Sequence, residues 1–344
     1  MTQTAATETV LADYYRQMVL IRTFELRAAE MYTKARIGGY CHLNLGEEAT
    51  VVGLMDALRP TDYLYANYRV HGYALARGLA ARNVMAELFG RVDGVSGGWG
   101  GSMHLFDAGA RLMGGYGIVG GQIPLATGAA YAIAYRQPPG PESEAVMCLL
   151  GEGTTAIGAF HESLNIAALW NLPVVYVVIN NRTGMGTTVE HSSAEPEIYK
   201  RAAAYRMPGT RVDGTDPLAV RDAAAEALRT AREERRPYLL ETMSYRLKGH
   251  SVVDPARYRS QDEVSEAWAH DPLPLLREKL IEGGVLSEEE VLDAEADAVR
   301  IVDDAVDFAQ ADAAPEPDAL FAHAYASPVA NAPGQLPGER LFRQ

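Results

Sequence analysis

The residues best suited to carry chemistry are Glu152 and Asn181, which closely follow two uninterrupted apolar segments, 145–150 and 173–179. A carboxylate, an amide oxygen and nearby backbone carbonyls are hard oxygen donors. Such donors suit Mg²⁺, which usually keeps some waters and shares its coordination shell with a phosphate group. The pair therefore predicts a site that holds a diphosphate through a metal ion. The alternative interpretation is that both are ordinary turn residues at strand ends.

The segment between these two residues predicts the elements that position them. Residues 155–170 carry apolar side chains at helical spacing, so the sequence predicts a strand, a helix and a second strand. Strands without polar residues are typical of parallel strands that are buried on both faces. Because open α/β sheets bind ligands beyond the carboxyl ends of their strands, both polar segments are expected at one ligand-binding edge.

The remaining pattern predicts an α/β fold with a mostly parallel central sheet, flanking helices and a C-terminal helical extension. We expect three parts: an N-terminal helical segment (1–40), an α/β domain (41–262), and C-terminal helices with a tail (263–344) that is rich in Pro and Ala from Ala313 onward. The predicted helices cover 8–37, 47–58, 70–90 with a break near Gly78, 123–135, 196–205 and 217–235, and the remaining strands cover 210–213 and 238–243.

Composition excludes several classes of function. With 31 Lys and Arg against 45 Asp and Glu, the formal net charge of −14 argues against binding to nucleic acid or to an anionic membrane. No segment has the length and apolarity of a membrane span. The first residues lack a signal core and the Arg-rich composition of a mitochondrial leader. The two cysteines, Cys41 and Cys148, have no CxxC spacing and are predicted to be reduced thiols, so we expect a cytoplasmic protein.

An acidic chain needs local cations to bind an anion, and Arg69 is the best candidate. A guanidinium pairs with phosphate oxygens in bidentate fashion, although an arginine at the start of a helix is more often simply solvated. His71, two residues later, is equally compatible with a structural role.

The segment Gly115–Gly120 satisfies the spacing GxGxxG, which also occurs in dinucleotide-binding folds. Such a fold would need a hydrophobic strand directly before the motif and an acidic residue about twenty positions later, at the end of the next strand. Residues 107–113 predict a poor strand, and Glu142 and Glu144 precede a strand rather than end one. The segment is therefore not interpreted as a nicotinamide or flavin site.

Short motifs occur in a fixed order and spacing between Tyr32 and Tyr258. Besides the segment at Glu152, they are Tyr40–Leu43, Gly46–Ala49, Tyr68–Gly72, Gly100–His104, Gly117–Gly120, Asn180–Gly186 and Tyr245–Ser251. Together they resemble the alpha subunit of the decarboxylating first component of 2-oxoacid dehydrogenase complexes, which is thiamine diphosphate-dependent. That family has a thiamine diphosphate-binding fold, in which Gly-Asp-Gly is followed about one βα unit later by Asn-Asn.

The resemblance implies thiamine diphosphate and Mg²⁺ as cofactors. It implies Glu152, Asn181 and the backbone carbonyl of Thr183 as metal ligands. Gly117 and Val119 would contact the aminopyrimidine ring through their backbone. The full implied cofactor-binding set is Tyr68, Arg69, Gly117, Val119, Gly151, Glu152, Gly153, Thr154, Asn181 and His250.

Two histidines are implied as catalytic residues. His250 lies in a loop that closes over the active site in the family, and the matching histidine reaches the diphosphate. His42 corresponds to a histidine near the substrate end of the cofactor, where a neutral imidazole could orient a carbonyl or relay a proton. The alternative for His42 is simple packing. Ser251 occupies the place that is phosphorylated in animal mitochondrial versions, and nothing in the sequence shows that a kinase acts on this chain.

The implied reaction is oxidative decarboxylation of a 2-oxoacid, with transfer of the acyl group to a lipoyl group. In the family's two-chain version, the glutamate that activates the cofactor lies on a beta subunit. This chain is too short to hold both cofactor-binding domains of the single-chain versions. The resemblance therefore implies an α2β2 heterotetramer with the beta subunit, docked on a lipoyl-bearing dihydrolipoyl acyltransferase.

Departures from the family pattern leave alternatives open. Glu152 stands where Asp is usual, which could alter metal affinity, and Thr183 stands where pyruvate types often carry Tyr. The residues around Asn181 and His42 favour pyruvate as substrate. However, Glu47 is a variant seen in branched-chain 2-oxoacid and acetoin dehydrogenase types, since pyruvate types more often have Gln there. An alternative from another class is a catalytically impaired assembly subunit.

Overall fold

Eight β-strands form two sheets within the part of the chain that the computed structural model describes, which is residues 3–317 and residue 319, with side chains from residue 8 onward. The strands are β1 (Tyr63–Asn67), β2 (Leu112–Tyr116), β3 (Val146–Gly151), β4 (Val174–Asn180), β5 (Thr183–Gly184), β6 (Thr187–Thr188), β7 (Gly209–Asp213) and β8 (Tyr238–Met243). Six of them form an all-parallel sheet in the order β2-β1-β3-β4-β8-β7. Strands β5 and β6 form a small antiparallel ribbon.

Helices cover the sheet. They are α1 (Gln3–Thr33), α2 (Glu48–Ala57), α3 (His71–Ala76), α4 (Ala81–Leu88), α5 (Gln122–Arg136), α6 (Gly158–Leu169), α7 (Val189–Ser192), α8 (Pro217–Glu233), α9 (Gln261–Ala269), α10 (Pro272–Glu282) and α11 (Glu288–Ala311). Short 3-10 helices cover Gly101–Met103, Glu152–Ala156 and Ile198–Tyr205. None of the helices in the described ranges is both long and apolar enough to cross a bilayer.

The central strands are buried on both faces, as the unbroken apolar sequence predicts. Met147 and Leu149 of β3 belong to a core that includes buried residues of α1, α2, α8 and α11. Their neighbours Cys148 and Leu150 belong to a second core, formed with α5 and α6. Successive side chains of a strand point to opposite faces, so a strand covered on both sides has to be apolar throughout. The predicted α/β fold with a parallel sheet flanked by helices is confirmed.

The first and last described helices pack together on one side of the sheet. Helix α1 contacts α11, and its buried residues Tyr15, Met18 and Phe24 share a core with β3. Side-chain caps fix the starts of the C-terminal helices, since Ser260 and Ser287 each form a capping box with a glutamate three residues later. The predicted domain boundaries at residues 40 and 262 stay predictions, and most of the predicted tail lies outside the described residues.

Several predicted elements are shifted or were missed. Helix α1 covers Gln3–Thr33 instead of 8–37, and helix α6 starts at Gly158 because the 3-10 helix precedes it. Strand β1 was not predicted. The prediction of a poor strand before the GxGxxG segment was wrong, because Leu112–Tyr116 form β2 at the sheet edge. Glycine is required within β2, since a Cβ on Gly115 would lie 2.5 Å from the Met103 carbonyl oxygen.

Candidate active site

A cavity of about 660 Å³ lies where β1, β3 and β4 end. All the predicted site residues line it: His42, Tyr68, Arg69, Gly117, Val119, Gly151, Glu152, Gly153, Thr154, Asn181, Thr183 and His250. Ser251 lies in the same wall. The structure thus brings together residues that are far apart in the sequence, at the edge where parallel sheets bind ligands. Their individual roles stay predictions.

Glu152 begins the 3-10 helix that follows β3, and its carboxyl group is buried beside the cavity. The residue is 6% exposed, and no described Lys, Arg or His lies within ion-pair distance of its carboxyl group. Burial raises the pKa of Glu152, and Glu47 also raises it, whereas a backbone amide and Arg246 lower it. Burying a carboxylate without an ion-pair partner costs free energy, and a bound cation would reduce that cost.

The two consecutive asparagines have different contacts. Asn180 donates from Nδ2 to Glu241 Oε1 at 2.7 Å and accepts at Oδ1 from the Arg182 amide at 3.0 Å, so it fixes the turn after β4. Asn181 donates from Nδ2 to Glu47 Oε1 at 2.9 Å. Its Oδ1 is buried and has no hydrogen-bond partner in the described part of the chain. The second asparagine therefore presents a free oxygen ligand.

The carbonyl of Thr183 completes the predicted oxygen set. It accepts a hydrogen bond of 2.7 Å from Arg246 Nη1, and Arg246 Nη2 donates to the Met185 carbonyl at 3.1 Å. No group of three or more His, Cys, Asp or Glu side chains capable of holding a metal occurs within residues 8–317. The donor set of Glu152, Asn181 and Thr183 still fits Mg²⁺, which accepts amide and carbonyl oxygens and takes remaining ligands from water or phosphate.

Arg69 supplies positive charge on the same cavity. It follows β1, is 4% exposed, and donates from Nη1 to the Leu43 carbonyl at 2.9 Å and from Nη2 to the His250 carbonyl at 2.7 Å. Carbonyls neutralise no charge, and the guanidinium of Arg69 has carbonyl partners and no ion pair with any described carboxylate. A buried unpaired guanidinium fits an anionic ligand such as a diphosphate.

His42 and His250 are in edge-to-face contact in the cavity wall, with ring centroids 5.1 Å apart, and the Tyr68 ring lies 4.4 Å from His42. The Nδ1 atom of each histidine is buried and has no partner among the described residues. Burial, followed by the positive charge of Arg69, lowers the pKa of His42 to about 3 and that of His250 to about 4. Both imidazoles are therefore neutral near pH 7, with a free nitrogen for a ligand.

His71 has a different environment, which resolves its two possible roles. It is fully buried, lies 2.9 Å from Glu25 Oε2 through Nδ1, and lies 2.8 Å from Ser102 Oγ through Nε2. It does not line the cavity. His71 therefore has a structural role: it connects α3 to α1 through Glu25 and to the 3-10 helix Gly101–Met103 through Ser102.

A buried carboxylate also anchors the glycine-rich loop 94–101, which leads to Met103 in the cavity wall. Glu87 of α4 is fully buried and accepts four backbone hydrogen bonds, from Ser96, Gly98, Gly100 and Gly101, at 2.7–3.0 Å. A Cβ on Gly94 would lie 2.4 Å from Glu87 Oε2, so only glycine permits this approach.

The sequence-based prediction missed some cavity residues. Glu47, Asn67 and Met103 line the cavity, and Arg246 contacts the predicted metal-binding loop. Glu47 belongs to the motif Gly46–Ala49. The signal that could have identified it is its position as an acidic residue directly before a buried helix. The Arg246 contact joins residues 63 positions apart and had no local signal.

The depressed pKa values of His42 and His250 predict a pH dependence of stability. Below about pH 6.5, the unfolded chain binds a proton at each histidine. The folded chain keeps His250 neutral down to about pH 4 and His42 neutral down to about pH 3. The free energy of unfolding therefore falls as the pH decreases through this window. We expect His42→Gln to reduce this slope by up to about 1.4 kcal/mol per pH unit between pH 6 and 4.

Melting temperatures of the wild type and the His42→Gln variant across pH 4–8 check this prediction. His191→Gln, at an exposed position, is the matched control and should keep the wild-type slope. Parallel curves for the wild type and His42→Gln would contradict a buried neutral imidazole.

The fold and cavity define an α/β protein whose sheet edge brings together oxygen atoms suited to a cation and a guanidinium group suited to an anion. The chain belongs to the family described as dehydrogenase E1 component, whose model matches residues 16–318. The family predicted from the motifs is thereby confirmed.

Named relatives are similar over most of their length. Pyruvate dehydrogenase E1 component subunit alpha of Rhizobium meliloti (strain 1021) is 46% identical over 305 residues, 88% of this chain and 86% of the relative. The protein of the same name from Zymomonas mobilis is 42% identical over 313 residues, 90% of this chain and 87% of the relative. The human pyruvate dehydrogenase E1 component subunit alpha, somatic form, mitochondrial, is 40% identical over 316 residues, 91% of this chain and 79% of the relative.

Proposed function

We propose that this chain acts as the alpha subunit of a pyruvate dehydrogenase (acetyl-transferring), which decarboxylates pyruvate and transfers the acetyl group to a lipoyl group. Members of its family depend on thiamine diphosphate, conventionally with Mg²⁺. The observation that carries the proposal is the convergence on one cavity of buried Glu152, the unpartnered Asn181 Oδ1 and the unpaired Arg69 guanidinium. The names of the relatives support pyruvate over a branched-chain 2-oxoacid or acetoin.

The chain's own residues divide into a cation-binding and an anion-binding group. Glu152, Asn181 Oδ1 and the Thr183 carbonyl would hold Mg²⁺, and the ion would share phosphate oxygens as further ligands. Arg69 would bind the diphosphate. Further cofactor contacts would come from Tyr68, Gly117, Val119, Gly151, Gly153, Thr154 and His250.

When bound, the cofactor supplies the carbanion chemistry that the protein side chains lack. The neutral imidazoles supply directed hydrogen bonds. His42 would orient the 2-oxo carbonyl or move a proton there, and His250 would bind the diphosphate. Because neither histidine carries charge near pH 7, they add no positive charge beside Arg69.

An uncharged segment of helix α5, beside the cavity, is evidence for a surface that binds a partner subunit. Residues 122–135 of α5 include no charged residue. Tyr131 and Tyr135 are 50% and 82% exposed, and Trp170 packs 5.5 Å from the Tyr131 ring. Val119, in the cavity wall just before α5, is 52% exposed. Contiguous exposed apolar residues mark interfaces, so this face would bind the beta subunit in an α2β2 heterotetramer, with a lipoyl-bearing acyltransferase as the further partner.

We expect Tyr131→Glu to weaken association with the beta subunit by at least about 30-fold, because an aromatic residue at the centre of an interface typically contributes about 2 kcal/mol or more. Sedimentation velocity on the co-expressed subunits measures the effect. Leu292→Glu, which also replaces an exposed apolar residue but lies on α11, is the control. Equal assembly of both variants would place the interface elsewhere.

Calorimetric titration of thiamine diphosphate with Mg²⁺, using the chain co-expressed with its beta subunit, tests the proposed function. An assay of carbon dioxide release from pyruvate follows, with branched-chain 2-oxoacids and acetoin as competing substrates. Saturable, Mg²⁺-dependent binding and turnover of pyruvate are expected. A folded heterotetramer that binds no cofactor would instead identify an assembly subunit that has lost its metal site.

A further inference from the structure

Glu47 is a buried carboxylate that lines the cavity without a cationic partner. It directly precedes α2 and is 1% exposed. Its two oxygens accept hydrogen bonds from amide groups, Oε1 from Asn181 Nδ2 at 2.9 Å and Oε2 from Asn44 Nδ2 at 3.1 Å. Across the described ranges, the partners of its carboxyl oxygens are these two amides, and no Lys, Arg or His side chain forms an ion pair with it. Its carboxyl group is therefore left without a direct counter-ion.

This contact determines which way the Asn181 amide faces. An ionised carboxylate only accepts hydrogen bonds, so it selects the NH₂ end of the Asn181 amide. The Oδ1 end must then point away from Glu47, and this is the buried atom without a partner. Leaving such an acceptor unsatisfied costs about 1–3 kcal/mol. Glu47 thus holds Asn181 in the orientation that needs a ligand at Oδ1.

A second buried asparagine prevents Glu47 from turning away. Asn44 is fully buried, its backbone amide donates to Glu25 Oε1 at 3.0 Å, and its Oδ1 accepts from the Gly72 amide at 3.1 Å. Its Nδ2 also donates to the Arg69 carbonyl at 3.2 Å. The chain of contacts ties Glu47 to α1 and α3, which makes the orientation of Asn181 a preset feature of the fold.

Charge gives Glu47 a second effect on the same site. Glu47 and Glu152 are two buried carboxylates that line one cavity. Like charges held together in a poorly solvated site repel, and both are attracted by a cation placed near them. The two positive charges of a divalent ion balance the negative charges of two carboxylates, whereas one nearby arginine balances only one of them.

We propose that Glu47 is a positioning residue of the cation site, acting in two ways. Its carboxylate orients Asn181 so that Oδ1 faces the ion, and its negative charge strengthens divalent cation binding. The inference rests on the proposed function of the cavity and extends it to a residue outside the predicted ligand set. Since groups that orient metal ligands typically change metal affinity by about 10- to 100-fold, a measurable loss is expected on substitution.

Two substitutions at position 47 separate orientation from charge. Glu47→Gln removes the charge and keeps one oxygen that can accept from Asn181, while its NH₂ group faces the Asn44 donor. It should weaken Mg²⁺ binding about 10-fold. Glu47→Leu removes both, and should weaken it about 100-fold. Mg²⁺ affinity is measured by calorimetry at saturating thiamine diphosphate, on the complex with the beta subunit, independently of turnover. Glu282→Gln, on the exposed end of α10, is the control for loss of one carboxylate.

Asn181→Ala distinguishes failure of this inference from failure of the proposed function. Loss of Mg²⁺ binding in Asn181→Ala together with native affinity in both position-47 variants would overturn the role of Glu47 and leave the proposed function intact. Native affinity in Glu47→Gln alone would overturn the charge contribution. A wild-type complex that binds no Mg²⁺ would overturn both proposals. Melting temperatures identify a misfolded variant, and the near-isosteric Glu47→Gln carries the test if Glu47→Leu does not fold.

Discussion

Glu152→Gln is expected to weaken Mg²⁺-dependent thiamine diphosphate binding by more than about 100-fold, because loss of a charged ligand should exceed the 10- to 100-fold effects of groups that only orient ligands. The substitution keeps the size of the side chain and removes its charge. Without the cofactor, the melting temperature should stay the same or rise. Burial raises the pKa of Glu152, and no described cation forms an ion pair with it, so its ionised form destabilises the folded chain.

Opposite effects on binding and stability would identify Glu152 as a functional residue and not a structural one, since functional sites commonly sacrifice stability. Calorimetric titration and thermal melting of the cofactor-free complex measure the two effects. Glu152→Asp is the matched comparison, because it keeps the charge and restores the residue usual in the family, and it should retain binding. A Glu152→Gln variant that melts lower and still binds the cofactor would contradict the assignment.

Glu87→Gln should lower the free energy of unfolding by about 2–4 kcal/mol, the second large effect expected. The carboxylate accepts hydrogen bonds from four backbone amides. Gln has only one acceptor oxygen, and its NH₂ group would face amide donors with which it cannot form hydrogen bonds. Each partly buried amide left without an acceptor costs about 1–3 kcal/mol. Because the loop leads to Met103 in the cavity wall, cofactor affinity should also decrease.

Denaturant unfolding of the wild type, Glu87→Gln and Glu282→Gln measures the effect, and the last of these should change stability by less than about 0.5 kcal/mol as a surface substitution. If Glu87→Gln changed the free energy of unfolding no more than Glu282→Gln does, water would replace the carboxylate at the four amides. Glu87 would then not hold the loop.

Two residues of the cavity, Glu152 and Asn181, were predictable because they follow strands with an unambiguous sequence pattern. The unbroken apolar segments before Glu152 and Asn181 predicted two adjacent parallel strands, and the structure pairs Leu150 with Val178 and Gly151 with Ile179. Parallel pairing brings the two polar segments to one edge without further information. Local chemistry and strand direction were therefore sufficient to predict that Glu152 and Asn181 share a cavity.

Other features depend on contacts that no local pattern contains. Strand β2 has two consecutive glycines, which disfavour a strand, but Gly115 allows the close approach of Met103, and β1 supplies the pairing. The different roles of Asn180 and Asn181 follow from Glu241 and Glu47, which lie 61 positions after the first and 134 before the second. Tertiary contacts, not propensity, decide such cases.

The contacts of Arg69 have a consequence for the order of events during synthesis on the ribosome. Arg69 donates to the Leu43 carbonyl and to the carbonyl of His250, which lies 181 positions after Arg69 in the chain. Helix α1, which is synthesised before the other described elements, packs against α11, the last described helix. A nascent chain therefore lacks one wall of the cavity until residue 250 has left the exit tunnel. We expect cofactor loading to follow translation, and chains interrupted before that point to emerge without it.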